Sequence, residues 1–404
     1  MYIRREIERT IDRMLGQGKV VLVTGARQVG KTTVLRHSLG AEFEYVTMED
    51  PIALAQAKGD ALLFFDARSL PLIIDEIQRA PELFATIKFV VDQSPEKGRI
   101  VLTGSQTYHL MKGVSESLAG RIRILEMAGL SLRELFPSGA APRPYVPGMV
   151  RDCPVPSLPS EEVWRTIHRG SMPELQDPNV EWDAFYSDYV RAYLERDVRD
   201  LINVKDEARF YDFMVACAAR SGQLLNASDI GDVIGADHKT VKSWLSVLQA
   251  SGVIHVLRPL WANVNKRLAK TPKAYFTDTG LLCHLTRWTT PEQLRRGAAA
   301  GHVFETFVVS EVLKSYMNAG ASTRDLWFYR DARKNEIDLI VQEGHVLHPV
   351  EVKMGMQVGA EAMRSFRHLE SLGDYEVGFG HVVCQTHEPY LLSQDVQAVP
   401  VWAI

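Results

Sequence analysis

The sequence predicts an α/β protein that begins with a parallel sheet flanked by helices and ends with a second, smaller α/β unit. Three observations predict this order. Short β-branched runs alternate with helical patterns over the first 135 residues, a glycine-rich loop joins the first of these runs to a helix, and a helix followed by several strands closes the chain. A mostly helical stretch and a helix-turn-helix pattern lie between the two α/β units.

The composition is that of ordinary folded domains. The chain has 404 residues, of which 46% are hydrophobic, and a formal net charge of −4. This length predicts two to three domains at roughly 150 residues each, and the charge means that any DNA contact must come from a local basic patch. No run approaches the roughly 20 apolar residues of a membrane helix. We expect a cytoplasmic protein with reduced cysteines at four scattered positions, Cys153, Cys217, Cys283 and Cys384.

Five short apolar runs, each bounded by glycine, proline or charge, are the predicted strands of the first sheet. They are Val20–Thr24, Phe43–Met48, Leu70–Asp75, Arg99–Thr103 and Ile122–Met127. A proline-rich segment over residues 136–160 is typical of an irregular insertion at the edge of that domain. The pattern then predicts helices over residues 161–222.

The loop after the first strand fits the pattern G-x-x-x-x-G-K-[ST] in full. Glycines let backbone N–H groups curl around phosphate oxygens, and the N-terminus of the following helix favours negative charge. Lys31 is predicted to reach the β- and γ-phosphates of ATP, and the Thr32 hydroxyl to bind Mg²⁺. The predicted ATP-binding residues are Gly25, Ala26, Arg27, Gln28, Val29, Gly30, Lys31, Thr32 and Thr33.

Two acidic residues end the apolar run that leads to Asp75. An acid at the carboxyl end of a strand faces the ligand crevice of an open α/β sheet. Asp75 is therefore predicted to hold Mg²⁺, and Glu76 to polarise the water that attacks ATP. These acids strengthen the prediction of ATP hydrolysis beyond ATP binding alone.

Two further residues have a predicted catalytic role in the ATPase and an equally open structural one. Ser105, at the end of another apolar strand, fits a γ-phosphate sensor or an ordinary strand-end turn. Arg121, which opens the next strand, fits an arginine finger on a neighbouring subunit's nucleotide or a plain surface arginine.

Residues 1–135 resemble the AAA+ superfamily, in its group of stand-alone bacterial and archaeal predicted ATPases. The resemblance rests on the strand-first phosphate loop, the Asp75-Glu76 pair and the segments 102–105 and 118–121. It continues through residues 169–174, where the family more often has Gly-Gly-Phe-Pro-Glu, and through 189–198 and 273–282. It implies ATP and Mg²⁺ as cofactors, a helical lid over 161–222 and a homo-oligomer such as a hexameric ring.

Residues 223–296 contain the pattern of a helix-turn-helix with a wing, followed by a basic linker. The outward face of the second helix offers Lys239, Lys242 and Ser243 to DNA phosphates. Basic residues nearby form a predicted strip of Arg258, Lys266, Arg267, Lys270 and Lys273. The alternative, a winged helix that serves only as a packing module, is equally open.

Residues 297–404 contain Asp338, Glu351 and Lys353 in the spacing D-x₁₂-E-x-K across two predicted strands, with Glu305 on the preceding helix. Side chains two residues apart on a strand share a face, and two or three carboxylates can hold Mg²⁺ beside a lysine that stabilises an attacking water. This set resembles the PD-(D/E)xK phosphodiesterase superfamily. It implies metal ligands at Asp338 and Glu351 and a nuclease-like site with Glu305 and Lys353 added. A degenerate fold kept for structure is the alternative.

These patterns favour an ATP-driven enzyme that acts on DNA, with branched or broken ends as its candidate substrates and a C-terminal unit that binds or cuts them. The alternative is an ATP-gated switch whose C-terminal unit is an inactive interaction module. The first interpretation needs the four polar positions of the C-terminal unit, whereas the second does not.

Overall fold

A computed structural model describes residues 2–104, 118–137, 139–151, 157–198, 206–260, 271–373 and 375–404. Ser105, Cys153 and three members of the predicted basic strip, Lys266, Arg267 and Lys270, lie outside the described residues.

The first sheet has five parallel strands in the order β2-β3-β4-β1-β5. Its strands are β1 (Val20–Thr24), β2 (Glu44–Thr47), β3 (Leu72–Asp75), β4 (Ile100–Gly104) and β5 (Ile122–Glu126). All five predicted strands are confirmed, with ends shifted by one or two residues. The helices of this part are α1 (Ile7–Leu15), α2 (Lys31–Leu39), α3 (Pro51–Gly59), α4 (Ala61–Asp66), α5 (Leu83–Asp92) and α6 (Leu132–Leu135).

Strand β1 lies at the centre of two hydrophobic layers. Val21 and Val23 pack into the layer shared with α1 and the rest of the chain. Val20 and Leu22 point to the opposite face and pack with residues of α3, α4 and α5. Both faces of a parallel sheet must be covered by helices, which explains why the strand is apolar from Val20 to Val23.

The middle of the chain is helical and ends in a small antiparallel sheet. Its helices are α7 (Ser160–Arg169), α8 (Trp182–Ala192), α9 (Glu207–Ala218), α10 (Ala227–Ile234), α11 (His238–Ala250), α12 (Thr279–Leu285) and α13 (Pro291–Arg296). Its strands are β6 (Gln223–Leu224), β7 (Ile254–Pro259) and β8 (Lys273–Phe276), with β8 antiparallel to both of the others. Asn226 and Asp237 cap the N-termini of α10 and α11. Their side chains accept hydrogen bonds from backbone N–H groups in the first turn of each helix.

The C-terminal strands extend the same small sheet, so no sheet boundary separates residues 223–296 from residues 297–404. These strands are β9 (Leu326–Arg330), β10 (Glu336–Glu343), β11 (Val346–Val352), β12 (Glu376–Val377), β13 (Gly380–Cys384), β14 (Tyr390–Leu391) and β15 (Val396–Pro400). The order is β14-β15-β13-β11-β10-β9-β7-β8-β6, and β12 pairs with β11. The parallel pair β7 and β9 makes the junction, with Arg258 opposite Trp327.

Helix α14 (Ala300–Ala319) joins the two sheets. It is almost entirely buried, as expected of a helix surrounded by protein, and its buried residues include charged and polar side chains. Thr10 Oγ1 of α1 donates to the Asn318 carbonyl at 2.6 Å. The Leu132 backbone N–H donates to Glu311 Oε2 at 2.8 Å, and Lys314 Nζ donates to Glu311 Oε1 at 2.7 Å.

The proline-rich segment contacts the C-terminal unit, whereas the sequence suggested an insertion at the edge of the first domain. The Tyr145 hydroxyl lies 2.6 Å from Nδ1 of His381 on β13, and the Tyr145 backbone N–H donates to Ser315 Oγ of α14 at 2.9 Å. The Val150 backbone N–H donates to Gln397 Oε1 of β15. These contacts hold residues 145–150, which form no helix or strand, against the C-terminal unit.

Cys217, Cys283 and Cys384 are buried free thiols, as predicted. Among the described residues, no helix is both long enough and apolar enough to span a membrane.

Candidate functional site

The glycine-rich loop leaves β1 and ends at the start of α2, where the sequence placed it. Gly25 and Gly30 have φ angles of +144° and +93°, which side chains strongly disfavour. A Cβ atom on Gly25 would also lie 2.1 Å from the Met127 carbonyl oxygen. The loop therefore needs glycine at this position both for its backbone angles and for its contact with the end of β5.

The Lys31 side chain lies over the loop and is buried. Its ammonium group donates to the carbonyl oxygens of Gly25, at 3.0 Å, and Ala26, at 2.7 Å. These bonds hold the charge at the place where the phosphate loop pattern predicts nucleotide phosphates. Lysine is a common phosphate ligand in such loops.

Asp75 ends β3 beside Thr32 and is buried. Its carboxylate accepts hydrogen bonds from Thr32 Oγ1 at 3.0 and 3.1 Å, from the Tyr45 hydroxyl at 2.8 Å and from the Thr103 hydroxyl. A hydroxyl and a carboxylate held together at the start of α2 are the oxygen ligands that Mg²⁺ accepts, directly or through water. The donor set predicted from Thr32 and Asp75 thus fits the metal. Tyr45 and Thr103 had no predicted role.

Glu76 follows Asp75 with a left-handed backbone, at φ +55°, which is uncommon for a residue other than glycine. Its backbone N–H donates to Thr103 Oγ1, and its carboxylate accepts a hydrogen bond from the Gln78 amide. Burial raises the pKa of Glu76 above its ordinary value, although the nearby Lys31 ammonium opposes the change. The strained backbone aims this carboxylate into the same cavity as Lys31.

The cavity at the loop has a volume of about 710 Å³. One wall is the loop with Glu76, and the other comes from residues of the helical region. The second wall consists of Pro173, Glu174, Tyr189, Ala192 and Glu195. The size is within the usual range for small-molecule sites, and the second wall lies in the region predicted to be the lid.

Asp278 holds the turn that carries Pro173 and Glu174. Its carboxylate accepts hydrogen bonds from the Ser171 backbone N–H and hydroxyl, both at 2.7 Å, and from the Tyr186 hydroxyl at 2.7 Å. The two segments of the family resemblance at 169–174 and 273–282 therefore meet at one buried carboxylate. No local pattern predicts this contact, because Ser171 and Asp278 lie 107 positions apart in the chain.

Arg5 contacts the phosphate loop, a role that was not predicted from the sequence. Its buried guanidinium donates to the Val29 carbonyl at 2.8 Å and to the Ala128 carbonyl at 2.8 Å, and it pairs with Glu134 at 2.9 Å. Gly252, at the turn before β7, lies on the other side, because a Cβ there would be 3.4 Å from the Ala26 nitrogen. The loop is thus enclosed by the N-terminus and by the turn after α11.

Arg121 lies at the amino end of β5, whereas the phosphate loop follows the carboxyl end of β1, which is parallel to β5. Its guanidinium makes a two-point ion pair with Asp92 at 2.7 and 2.8 Å. Arg121 is therefore on the edge of the sheet opposite its own nucleotide cavity. Its predicted role as an arginine finger would require a nucleotide on a neighbouring subunit.

Lys239, Lys242 and Ser243 are exposed on α11, in keeping with their predicted outward positions. Arg258 is exposed as well. Lys273 is different, because its side chain is only 2% exposed. Its assignment to a basic surface strip was therefore wrong, since β8 carries it into the interior.

The structure brings together Glu305, Asp338, Glu351 and Lys353, as predicted from the spacing. Asp338 on β10 and Glu351 on β11 are buried, and the Val352 backbone N–H donates to Asp338 Oδ2 at 2.9 Å. Lys353 Nζ donates to Glu351 Oε1 at 2.6 Å. Glu305 faces this pair from α14.

Lys273 and Glu336, which were not part of the predicted site, also belong to this cluster of charged side chains. Lys273 Nζ lies 2.9 Å from Glu305 Oε1, 2.6 Å from Glu336 Oε1 and 3.7 Å from Asp338 Oδ1. Glu336, at the start of β10, is also paired with Arg330 at 2.5 Å. The centre of the carboxylates is therefore occupied by an ammonium group from β8.

The charged groups of the cluster shift one another's pKa values. Burial alone would lower the pKa of Lys273, but Glu305, Asp338 and Glu336 outweigh it and raise that pKa. The pKa of Asp338 is raised well above its ordinary value by burial and by the charges of Glu305 and Glu351. Burial also raises the pKa of Glu351, against the opposing effect of Lys353.

The cluster does not fit a divalent cation as the sequence predicted. Mg²⁺ binds carboxylate oxygens at about 2.0–2.1 Å in an octahedral arrangement, whereas the oxygens here converge on an ammonium group. Within the described ranges, no three or more His, Cys, Asp and Glu residues are arranged to hold a metal ion. The residues predicted as ligands are present, but a lysine stands among them.

Three protein families match successive parts of the chain. Residues 17–136 match the family described as an AAA domain. Residues 160–292 match a domain of unknown function (DUF8612), and residues 300–404 match another domain of unknown function (DUF4143).

Two uncharacterized mycobacterial proteins are similar along most of the chain. They are Rv2008c of Mycobacterium tuberculosis and Mb2031c of Mycobacterium bovis, each 29% identical over 401 residues, which is 98% of this chain and 83% of the relative.

Two solved structures are also similar. The Walker-type ATPase of Pyrococcus abyssi is 15% identical, with a TM-score of 0.42 over 70% of this chain and 96% of that one. The RuvB Holliday junction branch migration motor of Thermotoga maritima is 15% identical, with a TM-score of 0.28 over 62% of this chain and 88% of that one.

The match at residues 17–136 supports ATP binding and hydrolysis, so the chain joins an AAA-type ATPase domain to a C-terminal domain of unknown function.

Proposed function

We propose that this chain hydrolyses ATP with Mg²⁺ at the cavity between the glycine-rich loop and the helical region. The observation that carries the proposal is the contact of Thr32 Oγ1 with the buried Asp75 carboxylate at 3.0 Å, next to a cavity that Thr32, Lys31 and Glu76 line. Thr32 and Asp75 supply oxygen ligands for the metal. Lys31 supplies a positive charge for the phosphates, and Glu76 supplies a carboxylate for the attacking water.

Each residue has a distinct task in this proposal. The backbone N–H groups of the loop and the N-terminus of α2 bind phosphate oxygens, and Lys31 exchanges its bonds to Gly25 and Ala26 for phosphate contacts. Thr32 and Asp75 would hold Mg²⁺, which would supply positive charge next to the phosphates when bound. Glu76 orients a water molecule for attack on the γ-phosphate and accepts its proton.

Three substitutions separate binding from chemistry. Lys31→Ala should abolish tight ATP binding, whereas Glu76→Gln should keep binding and lower the turnover number by at least about 100-fold, the lower end for loss of general base catalysis. Gly59→Ala, at an exposed position with free space around it, is the control. Binding of a fluorescent ATP analogue and release of phosphate are the measurements. Unchanged ATP binding by Lys31→Ala would refute the assignment of the site.

We further propose DNA as the substrate on which ATP hydrolysis acts, with residues 223–276 as a winged-helix contact. The supporting observation is the exposed face of α11 with Lys239, Lys242 and Ser243. The ATPase rate should rise when duplex, single-stranded or junction DNA is added. The Lys239→Ala/Lys242→Ala variant should weaken DNA binding and reduce its dependence on salt. A flat response to every DNA would favour the ATP-gated switch.

The C-terminal unit supports the switch more than a nuclease, because Lys273 occupies the centre of its carboxylates. Cleavage of branched DNA with Mg²⁺ or Mn²⁺ that disappears in Asp338→Ala would establish the nuclease instead. Assembly into a ring belongs to the same proposal through Arg121, which lies at the end of the sheet opposite this chain's own cavity. If so, Arg121→Ala should lower ATP turnover and leave ATP binding unchanged.

A further inference from the structure

The acidic cluster of the C-terminal unit contains four carboxylates from three elements, namely Glu305 of α14, Glu336 and Asp338 of β10, and Glu351 of β11. Glu305, Asp338 and Glu351 are each at most 9% exposed. Buried carboxylates are stable only when a positive charge, a proton or a metal compensates them. The question is which of these the fold provides.

Strand β8 provides the positive charge that compensates these buried carboxylates. Lys273 and Tyr275 are two residues apart, so both side chains project from the same face of the strand. Lys273 Nζ reaches Glu336 at 2.6 Å and Glu305 at 2.9 Å, and the Tyr275 hydroxyl donates to the same Glu305 oxygen at 2.7 Å. An ammonium group has three donors and no acceptor, which suits a position between several carboxylates.

We propose that the ammonium group of Lys273 takes the place of a divalent cation among Glu305, Glu336 and Asp338. The cluster then excludes Mg²⁺ and fastens β8 to the C-terminal unit. A metal ion at the convergence of these oxygens would have to displace Lys273, and two cations a few ångströms apart in a buried site repel strongly. The ring of Phe328, whose centroid lies 5.7 Å from Lys273 Nζ, forms a further wall on which the cation rests.

The remaining groups of the cluster agree with this assignment. Lys353 neutralises Glu351 from the exposed side, at 2.6 Å, and Arg330 neutralises Glu336. His302 Nδ1 lies 3.9 Å from Glu305 Oε2. Among the described residues, Glu351 Oε2 is buried without a hydrogen-bond partner. The chain itself thus supplies the counter-charges.

Mn²⁺ binding to the nucleotide-free, full-length chain tests the proposal. Free Mn²⁺ is followed by its EPR signal, and bound ions are counted per chain. The wild type and Asp338→Asn should bind the same number of ions, since no ion occupies the cluster. Asparagine retains the acceptor for the Val352 N–H, so the variant should fold. Loss of one Mn²⁺ per chain in Asp338→Asn would overturn the proposal.

Removal of the Lys273 ammonium group should have the opposite effect on Mn²⁺ binding. Lys273→Met should bind one Mn²⁺ per chain more than the wild type, and the double variant Lys273→Met/Asp338→Asn should lose that ion again. Lys314→Met is the matched control, because it removes another buried lysine paired with a carboxylate, and it should gain no ion. A Lys273→Met chain that folds, as judged by circular dichroism, and gains no ion would also overturn the proposal. If that variant does not fold, the comparison of wild type with Asp338→Asn still decides.

Discussion

Glu76 is a residue whose protonation state should be visible in the kinetics. Its pKa is raised above the ordinary value of 4.5 by burial, against the opposing charge of Lys31. A general base must be ionised, so activity is present above the raised pKa and is lost as the pH falls through it. We therefore expect the acid limb of kcat/KM for ATP to lie above pH 4.5.

The measurement is phosphate release at subsaturating ATP from pH 4.5 upward, with far-UV circular dichroism to confirm that the chain stays folded. Asp60, an exposed helix cap remote from the cavity, provides the control, because Asp60→Asn should leave the position of the limb unchanged. A folded enzyme whose kcat/KM stays constant down to pH 4.5 would contradict a catalytic carboxylate with a raised pKa.

The glycine-rich loop is the element in which backbone geometry matters most. Gly25 has φ +144°, and a Cβ atom there would lie 2.1 Å from the Met127 carbonyl oxygen. A residue forced into such a region costs about 1–3 kcal/mol, and each 1.4 kcal/mol changes an affinity roughly tenfold. Gly25→Ala should therefore weaken ATP binding by about 5- to 150-fold, as measured with a fluorescent ATP analogue. The control is Gly59→Ala, and equal affinity in both variants would contradict the steric argument.

The elements also show how far sequence patterns reach. The parallel strands and the phosphate loop were predictable because strand alternation and the glycine spacing are local signals. The positions of Arg5, Asp278 and Lys273 were not, since their partners lie far away in the chain and no local pattern marks them. The pairing of β7 with β9 was not predictable for the same reason, because it joins strands separated by more than sixty residues of sequence.

At the scale of the whole molecule, α14 ties the ATPase part to the C-terminal unit through buried polar contacts. Lys314 and Glu311 form an ion pair at 2.7 Å with side chains 4% and 5% exposed, and Lys314 also donates to the Leu130 carbonyl. Removal of one partner leaves a buried charge without compensation, which typically costs about 3–5 kcal/mol. Because Glu311 also accepts the Leu132 N–H, the loss should be felt in both parts.

We therefore expect Lys314→Met to lower the urea midpoint of two different signals together. One signal is tryptophan fluorescence, which reports on Trp164, Trp327 and Trp402 among others, and the other is the binding of a fluorescent ATP analogue. Lys58→Met, at an exposed position on α3, is the control and should change the free energy of unfolding from either signal by no more than about 0.5 kcal/mol. If fluorescence shifts while ATP binding keeps its wild-type midpoint, the two parts unfold independently, and α14 does not couple them.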